Sequence, residues 1–226
     1  SADEVIEFGA RRVVLATGSR WRTDGVGPAT PHGIEGLGEG VAAGIVLSPE
    51  ETVARVLSGD GPAGPAVVWD DDHGHVGHAV AERLRAHGLE VTLVTPLAEV
   101  SQWSYYTLEL KRIEERLAGA GIRCLTKTRV VRIGGPRVAL AGAHAPASLD
   151  VACFVPVTLR RPDDALWQAL AARAAEWRDA GIVSVEPIGD AVAPGTVAAA
   201  VYAGAQAARD LGTENAGGFR RERVML

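Results

Sequence analysis

The stretch best suited to binding chemistry runs from Val67 to Gly77, where an apolar strand passes into a helix. In dinucleotide-binding proteins this place carries the pattern Gly-x-Gly-x-x-Gly, whose glycines make the turn, admit the pyrophosphate and let the helix pack on the strand. Gly74 and Gly77 occupy the second and third glycine positions, while Asp72 occupies the first. The loop therefore has the outline of a nucleotide site in which one required glycine is replaced by an acid.

Three consecutive acids, Asp70, Asp71 and Asp72, oppose the binding of a nucleotide at this loop. Phosphate groups bind at helix N-termini through backbone amides and the positive end of the helix dipole, and nearby carboxylates repel them. The following strand ends in the residues Leu93 to Pro96, which offer neither an acid for the ribose hydroxyls nor an arginine for an extra phosphate. We interpret the loop as a structural remnant, with an adapted binding site as the alternative.

The histidines of the same segment, His73, His75 and His78, could ligate a divalent metal together with Asp70 or Asp72. A metal site also needs fixed geometry and supporting partners, which a loop sequence does not supply. We interpret these residues as polar replacements in a decayed loop and predict no metal site.

Composition excludes several classes of protein. The net charge of −5, without a basic face, argues against a nucleic-acid-binding protein. No apolar run reaches the roughly 20 residues that span a bilayer, and no secretory leader is present, so we expect a cytoplasmic protein.

Cys124 and Cys153 lie in apolar runs without neighbours at metal-ligand spacing and are expected to be buried thiols. The only methionine is Met225, so the sequence resembles a fragment, a processed subunit or an edited chain.

The order of apolar runs and turn residues predicts an α/β fold with a parallel sheet and a small antiparallel meander. The chain is expected to begin with a hairpin, followed by helices and a terminal extension that carries three arginines. The expected segments are a hairpin from Val5 to Ala16, helices from Ser48 to Leu57, Leu108 to Leu117, Asp163 to Asp179 and Thr196 to Leu211, and the extension from Gly212 to Leu226.

Three motifs occur in the order found in flavoprotein reductases with two dinucleotide-binding domains: Ala16 to Gly18, the central glycine loop, and Ile188 to Asp190. The narrower resemblance rests on the run from Leu15 to Gly25, the strand from Val91 to Val94, the triplet Thr107 to Glu109, and the turn from Ile188 to Ala191. Together with the decayed loop, these motifs resemble the C-terminal region of trimethylamine, dimethylamine and histamine dehydrogenases over nearly the whole chain. The related dienoyl-CoA reductases keep an intact glycine loop for a nicotinamide cofactor.

The resemblance implies a larger enzyme, in which an N-terminal barrel with FMN and an iron–sulfur cluster oxidises an amine. Electrons then pass to an electron-transfer flavoprotein, and the intact enzyme is expected to be a homo-oligomer. In that family a nonredox ADP lies where the reductases bind FAD. The residues that match its site are Ala16, Thr17, Gly18, Gly189 and Asp190. No catalytic residue of the amine chemistry is expected in these 226 positions.

The expected fold class is an FAD/NAD(P)-binding, Rossmann-like three-layer domain inserted in an incomplete second nucleotide-binding domain. Residues 48–150 would form the inserted domain, and residues 1–47 and 151–226 the partial ADP/FAD-type domain. The family's opening glycine loop for ADP, its first helix and its ribose-binding acid would precede Ser1, and Leu159 stands where relatives commonly have glycine. Asp190 has an alternative interpretation, because an aspartate near the start of a helix can cap it.

Two alternative functions remain open at the level of sequence. One is a reductase of the dienoyl-CoA type that uses FAD and a nicotinamide cofactor and would bind pyridine nucleotide in the inserted domain. The other is a noncatalytic scaffold subunit that has kept only the fold. Tryptophans such as Trp103, with Tyr105 and Tyr106 close by, are expected to be packing residues, with a surface for a partner protein as the alternative.

Overall fold

The structure, a computed structural model, describes residues 1–211, and the predicted extension from Gly212 to Leu226 lies outside the described residues. Residues 1–211 form both helices and strands. The strands are β1 (Arg12–Leu15), β2 (Ser19–Trp21), β3 (Ala66–Asp70), β4 (Val91–Val94), β5 (Arg123–Leu125), β6 (Arg129–Gly134), β7 (Arg137–Ala141), β8 (Ser148–Asp150), β9 (Cys153–Val157), β10 (Arg160–Pro162) and β11 (Ser184–Pro187). The helices are α1 (Ala2–Phe8), α2 (Leu37–Ala42), α3 (Pro49–Ser58), α4 (Val76–Ala86), α5 (Leu110–Gly119), α6 (Ala165–Ala172), α7 (Ala174–Asp179) and α8 (Val197–Asp210), with 3-10 turns at Gln102–Tyr105 and Gly189–Ala191.

The described residues divide into two compact units, one of residues 21–160 and one that combines residues 1–20 with residues 161–211. These limits differ from the expected boundaries at residues 47/48 and 150/151. Residues beyond those boundaries belong with the larger unit because β9 pairs with β3, Val46 bridges to Phe154, and Leu37 is buried in the same core.

The larger unit is a mixed α/β structure built on a parallel sheet with the strand order β5-β4-β3-β9. All residues of β3, β4 and β9 are buried, as expected for parallel strands that are covered on both faces. Val68 packs in a core with residues of α4 and α5, while Val67 and Trp69 pack in a second core with the antiparallel meander β6-β7-β8. The sheet therefore brings the carboxyl end of β3 to the start of α4, where the predicted loop lies.

The smaller unit pairs β1 with β11 in parallel. Its core contains Leu15, Leu170, Trp177 and Val185, and the Trp177 indole nitrogen donates to the Leu170 carbonyl at 2.9 Å. Helix α8 follows this pair of strands, yet none of its residues is buried among the residues that the structure describes.

The expected hairpin at the start of the chain is wrong. Residues 2–8 form α1, because the Ser1 hydroxyl accepts from the Glu4 amide and the Glu4 side chain bonds back to the residue 1 amine. Gly9 ends this helix with φ of +65°, and Val5 packs against the core of the smaller unit. The expected helix over residues 163–179 is interrupted at Arg173 and forms α6 and α7 instead.

Within residues 1–211, no helix is both long and apolar enough to cross a membrane.

Candidate functional site

The ends of two parallel strands meet at one edge of the smaller unit. Leu15, the last residue of β1, lies opposite Pro187, the last residue of β11, and the Ile188 amide donates to the Leu15 carbonyl at 2.9 Å. The residues that follow these strands are therefore neighbours. This pairing brings together the sequence-predicted site residues Ala16, Thr17, Gly18, Gly189 and Asp190 at the carboxyl edge of the pair, where open α/β sheets bind their ligands.

Asp190 is held through both of its carboxylate oxygens. Its Oδ2 accepts a hydrogen bond from the Ser19 hydroxyl at 3.0 Å, and its Oδ1 accepts one from the Gly195 amide at 3.0 Å. The cap of α8 is Thr196, whose side chain accepts from the Ala199 amide at 3.2 Å. Asp190 therefore closes the loop before α8 and does not cap the helix itself.

The turn after β1 is fixed by contacts with Asp163. The Thr17 hydroxyl donates to the Asp163 carbonyl, and the Asp163 amide donates to the Gly18 carbonyl at 2.9 Å. The Arg20 guanidinium bonds the Asp163 carboxylate at 2.9 and 3.0 Å. Gly18 has φ of +80°, and a Cβ added there would have no atom within 4 Å. The backbone angle therefore favours glycine, and the space above the turn is open to a ligand.

A groove of about 420 Å³ runs between the end of β11 and α8. Its size falls within the range of roughly 300 to 1,000 Å³ that is usual for small-molecule sites. Gly189 and Asp190 form one end of the lining, and Tyr202 and Gln206 of α8 line it further along. The groove gives the Gly-Asp turn an accessible side.

The third glycine of the decayed loop retains its packing role. A Cβ added at Gly77 would lie 2.5 Å from Cγ and 2.8 Å from Oδ2 of Asp70. Gly77 therefore lets α4 pack closely on the carboxyl end of β3, as in intact dinucleotide loops. Asp70 is fully buried, and its Oδ1 accepts from the His73 amide at 3.0 Å. Burial raises the pKa of Asp70 to about 6.

The second glycine is partly covered by the residue that replaces the first. A Cβ added at Gly74 would lie 2.8 Å from Oδ2 of Asp72, so this carboxylate lies beside the backbone that a pyrophosphate would approach. Burial raises the pKa of Asp72, while the positive charge of Arg160 lowers it. A phosphate at Gly74 would have to displace the Asp72 side chain.

The remaining acid of the loop points into the protein. Both oxygens of Asp71 lie near the Ala29 amide, at 3.0 and 3.2 Å, and its Oδ2 accepts from the Thr30 hydroxyl at 3.4 Å. Asp71 is fully buried. The expectation that the three acids jointly face a phosphate is thus corrected. Asp70 and Asp71 are buried in the protein, and only Asp72 lies beside Gly74.

The three histidines have separate partners. His78 Nδ1 lies 2.8 Å from the Ser101 hydroxyl, His75 Nε2 lies 3.7 Å from the Glu109 carboxylate, and His73 Nε2 lies 3.4 Å from Asp71. Burial lowers the pKa of His78. In the part of the chain that the structure describes, no three histidine, cysteine or acidic side chains are grouped as metal ligands.

The aromatic segment after β4 is exposed, contrary to the expectation of packing. Trp103 has 60% of its surface accessible, Tyr105 has 65% and Tyr106 has 75%. The Trp103 amide donates to the His73 carbonyl at 3.0 Å, which ties this segment to the decayed loop. Trp69 and Trp177, in contrast, are buried as expected.

Sequence reasoning missed Ser19 and Asp163 as parts of the site. Ser19 lies 171 positions from Asp190, and Thr17 lies 146 positions from Asp163. The sequence contains one local signal for Ser19, a hydroxyl directly after a glycine turn, but nothing in it identifies the distant carboxylate that accepts its hydrogen bond.

No protein-family model matches the chain, but comparison with known proteins identifies relatives of it. The chain is 30% identical to dimethylamine dehydrogenase from Hyphomicrobium sp. (strain x), over 93% of this chain and 31% of the relative. It matches the structure of histamine dehydrogenase from Rhizobium sp. 4-9 with a TM-score of 0.84 and 33% identity, over 100% of this chain and 33% of the relative.

A third match is the structure of 6-hydroxypseudooxynicotine amine oxidase from Pseudomonas geniculata N1. Its TM-score is 0.82 and its identity 34%, over 94% of this chain and 31% of the relative. The chain thus spans about a third of the length of each of these three proteins. These matches confirm the resemblance that the sequence motifs predicted.

Proposed function

We propose that this chain, a homologue of dimethylamine dehydrogenase, is the nucleotide-binding part of an amine-oxidising flavoenzyme and that the nucleotide it holds is ADP. The observation that carries the proposal is the juxtaposition of two turns, one at Ala16 to Gly18 and one at Gly189 and Asp190, at the carboxyl edge of β1 and β11. In open α/β sheets, this edge is where nucleotides bind.

The residues of this edge have the chemistry that ADP requires. Asp190 presents a carboxylate, an acceptor for sugar hydroxyls, and it is already oriented by Ser19 and Gly195. Gly18 leaves the space above its turn free of a side chain. In the proposed complex Asp190 lies beside the bound nucleotide, and the turn at Gly18 lets the backbone approach it closely.

The loop of the larger unit argues against binding of a nicotinamide cofactor. Asp72 lies beside Gly74, and the buried Asp70 lies against Gly77. A pyrophosphate entering here would meet negative charge and would have to displace a side chain, which costs binding free energy. We therefore propose that this unit has a structural role and that reducing equivalents do not leave as NADH or NADPH.

Further parts of the smaller nucleotide domain would come from another segment of the same protein. Within residues 1–211, β1 pairs with β11 alone, and α8 has no buried residue although it carries Val197 and Val201. Parallel sheets are usually covered on both faces. We propose that residues 1–20 and 161–211 belong to a partial ADP domain, into which a nicotinamide-type domain of residues 21–160 is inserted.

The redox cofactors would lie outside this chain. An iron–sulfur cluster takes four cysteine ligands, whereas the whole chain has two cysteines. We place FMN and the iron–sulfur cluster in an N-terminal barrel of the intact protein, where the flavin supplies the oxidation of an amine such as dimethylamine or histamine. The proposed electron acceptor is an electron-transfer flavoprotein, and the proposed setting is a cytoplasmic homo-oligomer.

The test uses the full-length protein, purified from its source organism or expressed whole. We expect flavin and iron–sulfur absorbance, ADP released on denaturation, and reduction of the flavin by an amine under anaerobic conditions. Asp190→Ala should reduce the ADP content, whereas Asp179→Ala, which removes an exposed carboxylate at the end of α7, should leave it unchanged.

Two results would refute the proposal. Reduction of the flavin by NADH or NADPH, with saturable binding of either, would favour a reductase of the dienoyl-CoA type. A colourless protein without ADP, and without a barrel in the same polypeptide, would favour a scaffold subunit.

A further inference from the structure

Ser19 is the first residue of β2, which follows the turn at Gly18. Its side chain links this strand to the turn at Gly189 and Asp190. Its hydroxyl donates to Oδ2 of Asp190 at 3.0 Å, while the Gly195 amide donates to Oδ1 at 3.0 Å. Ser19, Asp190 and Gly195 are all half-buried, so these bonds are partly shielded from water. The two donors reach the carboxylate from different segments of the chain.

The two bonds restrict a torsion that is otherwise loose. The last torsion of an aspartate joins a tetrahedral carbon to a planar carboxylate, and its energy profile is broad with two equivalent orientations. A hydrogen bond to each oxygen fixes the plane of the carboxylate as well as its position.

We infer that Ser19 is a positioning residue for nucleotide binding, which sets the orientation of the Asp190 carboxylate beside the bound ADP. This inference rests on the proposed function, because it assigns Ser19 a role at the same site. Ser19 acts through Asp190, so its contribution should depend on the presence of the aspartate. Loss of the hydroxyl increases the freedom of the Asp190 carboxylate, and ADP binding must then order it.

The experiment measures the affinity of the full-length protein for radiolabelled ADP by equilibrium dialysis, after removal of any bound nucleotide. We expect Ser19→Ala to weaken ADP binding by up to about tenfold, because binding must then order a side chain that Ser19 no longer holds. Ser19→Thr keeps the hydroxyl and should restore most of the affinity. Ser58→Ala is the matched control, because its hydroxyl likewise donates one hydrogen bond, to the Arg55 carbonyl, in the other unit.

A double-mutant comparison separates positioning from a general structural role. In an Asp190→Ala background, Ser19→Ala should have no further effect on ADP affinity. Equal losses with and without Asp190, or a loss that Ser19→Thr does not reverse, would overturn the inference. A wild-type affinity in Ser19→Ala together with a weakened Asp190→Ala would overturn it too and leave the proposed function standing. If the wild-type protein binds no ADP, both fail.

Discussion

Replacing Gly77 by alanine tests whether this glycine is required for the close packing of α4 against Asp70. In a helix interior, alanine is more favourable than glycine by about 1 kcal/mol, so an unconstrained site would gain stability. At Gly77 the new Cβ would lie 2.5, 2.8 and 2.9 Å from Cγ, Oδ2 and Cβ of Asp70. Asp70 is fully buried and cannot move aside freely.

The expected magnitude follows from these two opposing effects. Overpacking of a buried site costs about 1 to 3 kcal/mol, whereas the helix gain is at most about 1 kcal/mol because Gly77 lies in the first turn of α4. Gly77→Ala should therefore lower the free energy of unfolding by up to about 2 kcal/mol. In an Asp70→Gly background the three close atoms are absent, so the same substitution should instead raise it by up to about 1 kcal/mol.

The assay is urea unfolding of the wild type, the two single variants and the double variant, followed by circular dichroism. Gly204→Ala is the control, because Gly204 lies inside α8 and a Cβ there meets no atom within 4 Å. It should show the helix gain alone. If Gly77→Ala behaves like Gly204→Ala, or if its effect is the same with and without the Asp70 side chain, the reasoning is refuted.

Two further predictions concern pH and helix capping. Burial raises the pKa of Asp70 from 3.8 to about 6, so between these pH values the folded protein binds more protons than the unfolded chain does. The contribution of Asp70 to the free energy of unfolding should therefore fall, by up to about 3 kcal/mol, as the pH rises from about 4 to about 6. Urea midpoints across this range should show a weaker slope for Asp70→Asn, and an unchanged slope would contradict the assignment. Thr196→Ala removes the side chain that caps α8 and should cost about 1 kcal/mol, measured as faster amide hydrogen exchange in Val197–Asp210; unchanged exchange there would show that the cap is not formed.

Several elements could be predicted from the sequence because their signals are local. Ser48 and Pro49 mark the start of α3, Thr196 marks the start of α8, and the apolar run before Asp70 identifies a buried strand. Each signal acts within one or two helical turns or along a single strand. The mixed α/β class with a parallel sheet follows from the order of such elements.

The first helix could not be separated from a strand by its apolar residues. Val5 and Ile6 suit either structure, and the Ser1 to Glu4 capping box was the signal that mattered. The break in the predicted helix at Arg173 has no comparable local signal, since no proline or glycine lies there. Arg173 there bonds Asp3 as well as Glu176, so its setting depends on a distant part of the chain.

The sequence by itself determined that a dinucleotide-type loop had lost its first glycine to Asp72 and that a Gly-Asp turn follows a later strand, since each motif occupies neighbouring positions. Tertiary structure alone decided which way each acid points and what it contacts. Asp71 turns to Ala29, and Asp190 turns to Ser19, because the partners come from segments far apart in sequence. Hydrogen bonds and burial act across space, so the direction of a carboxylate becomes defined only when the chain has folded.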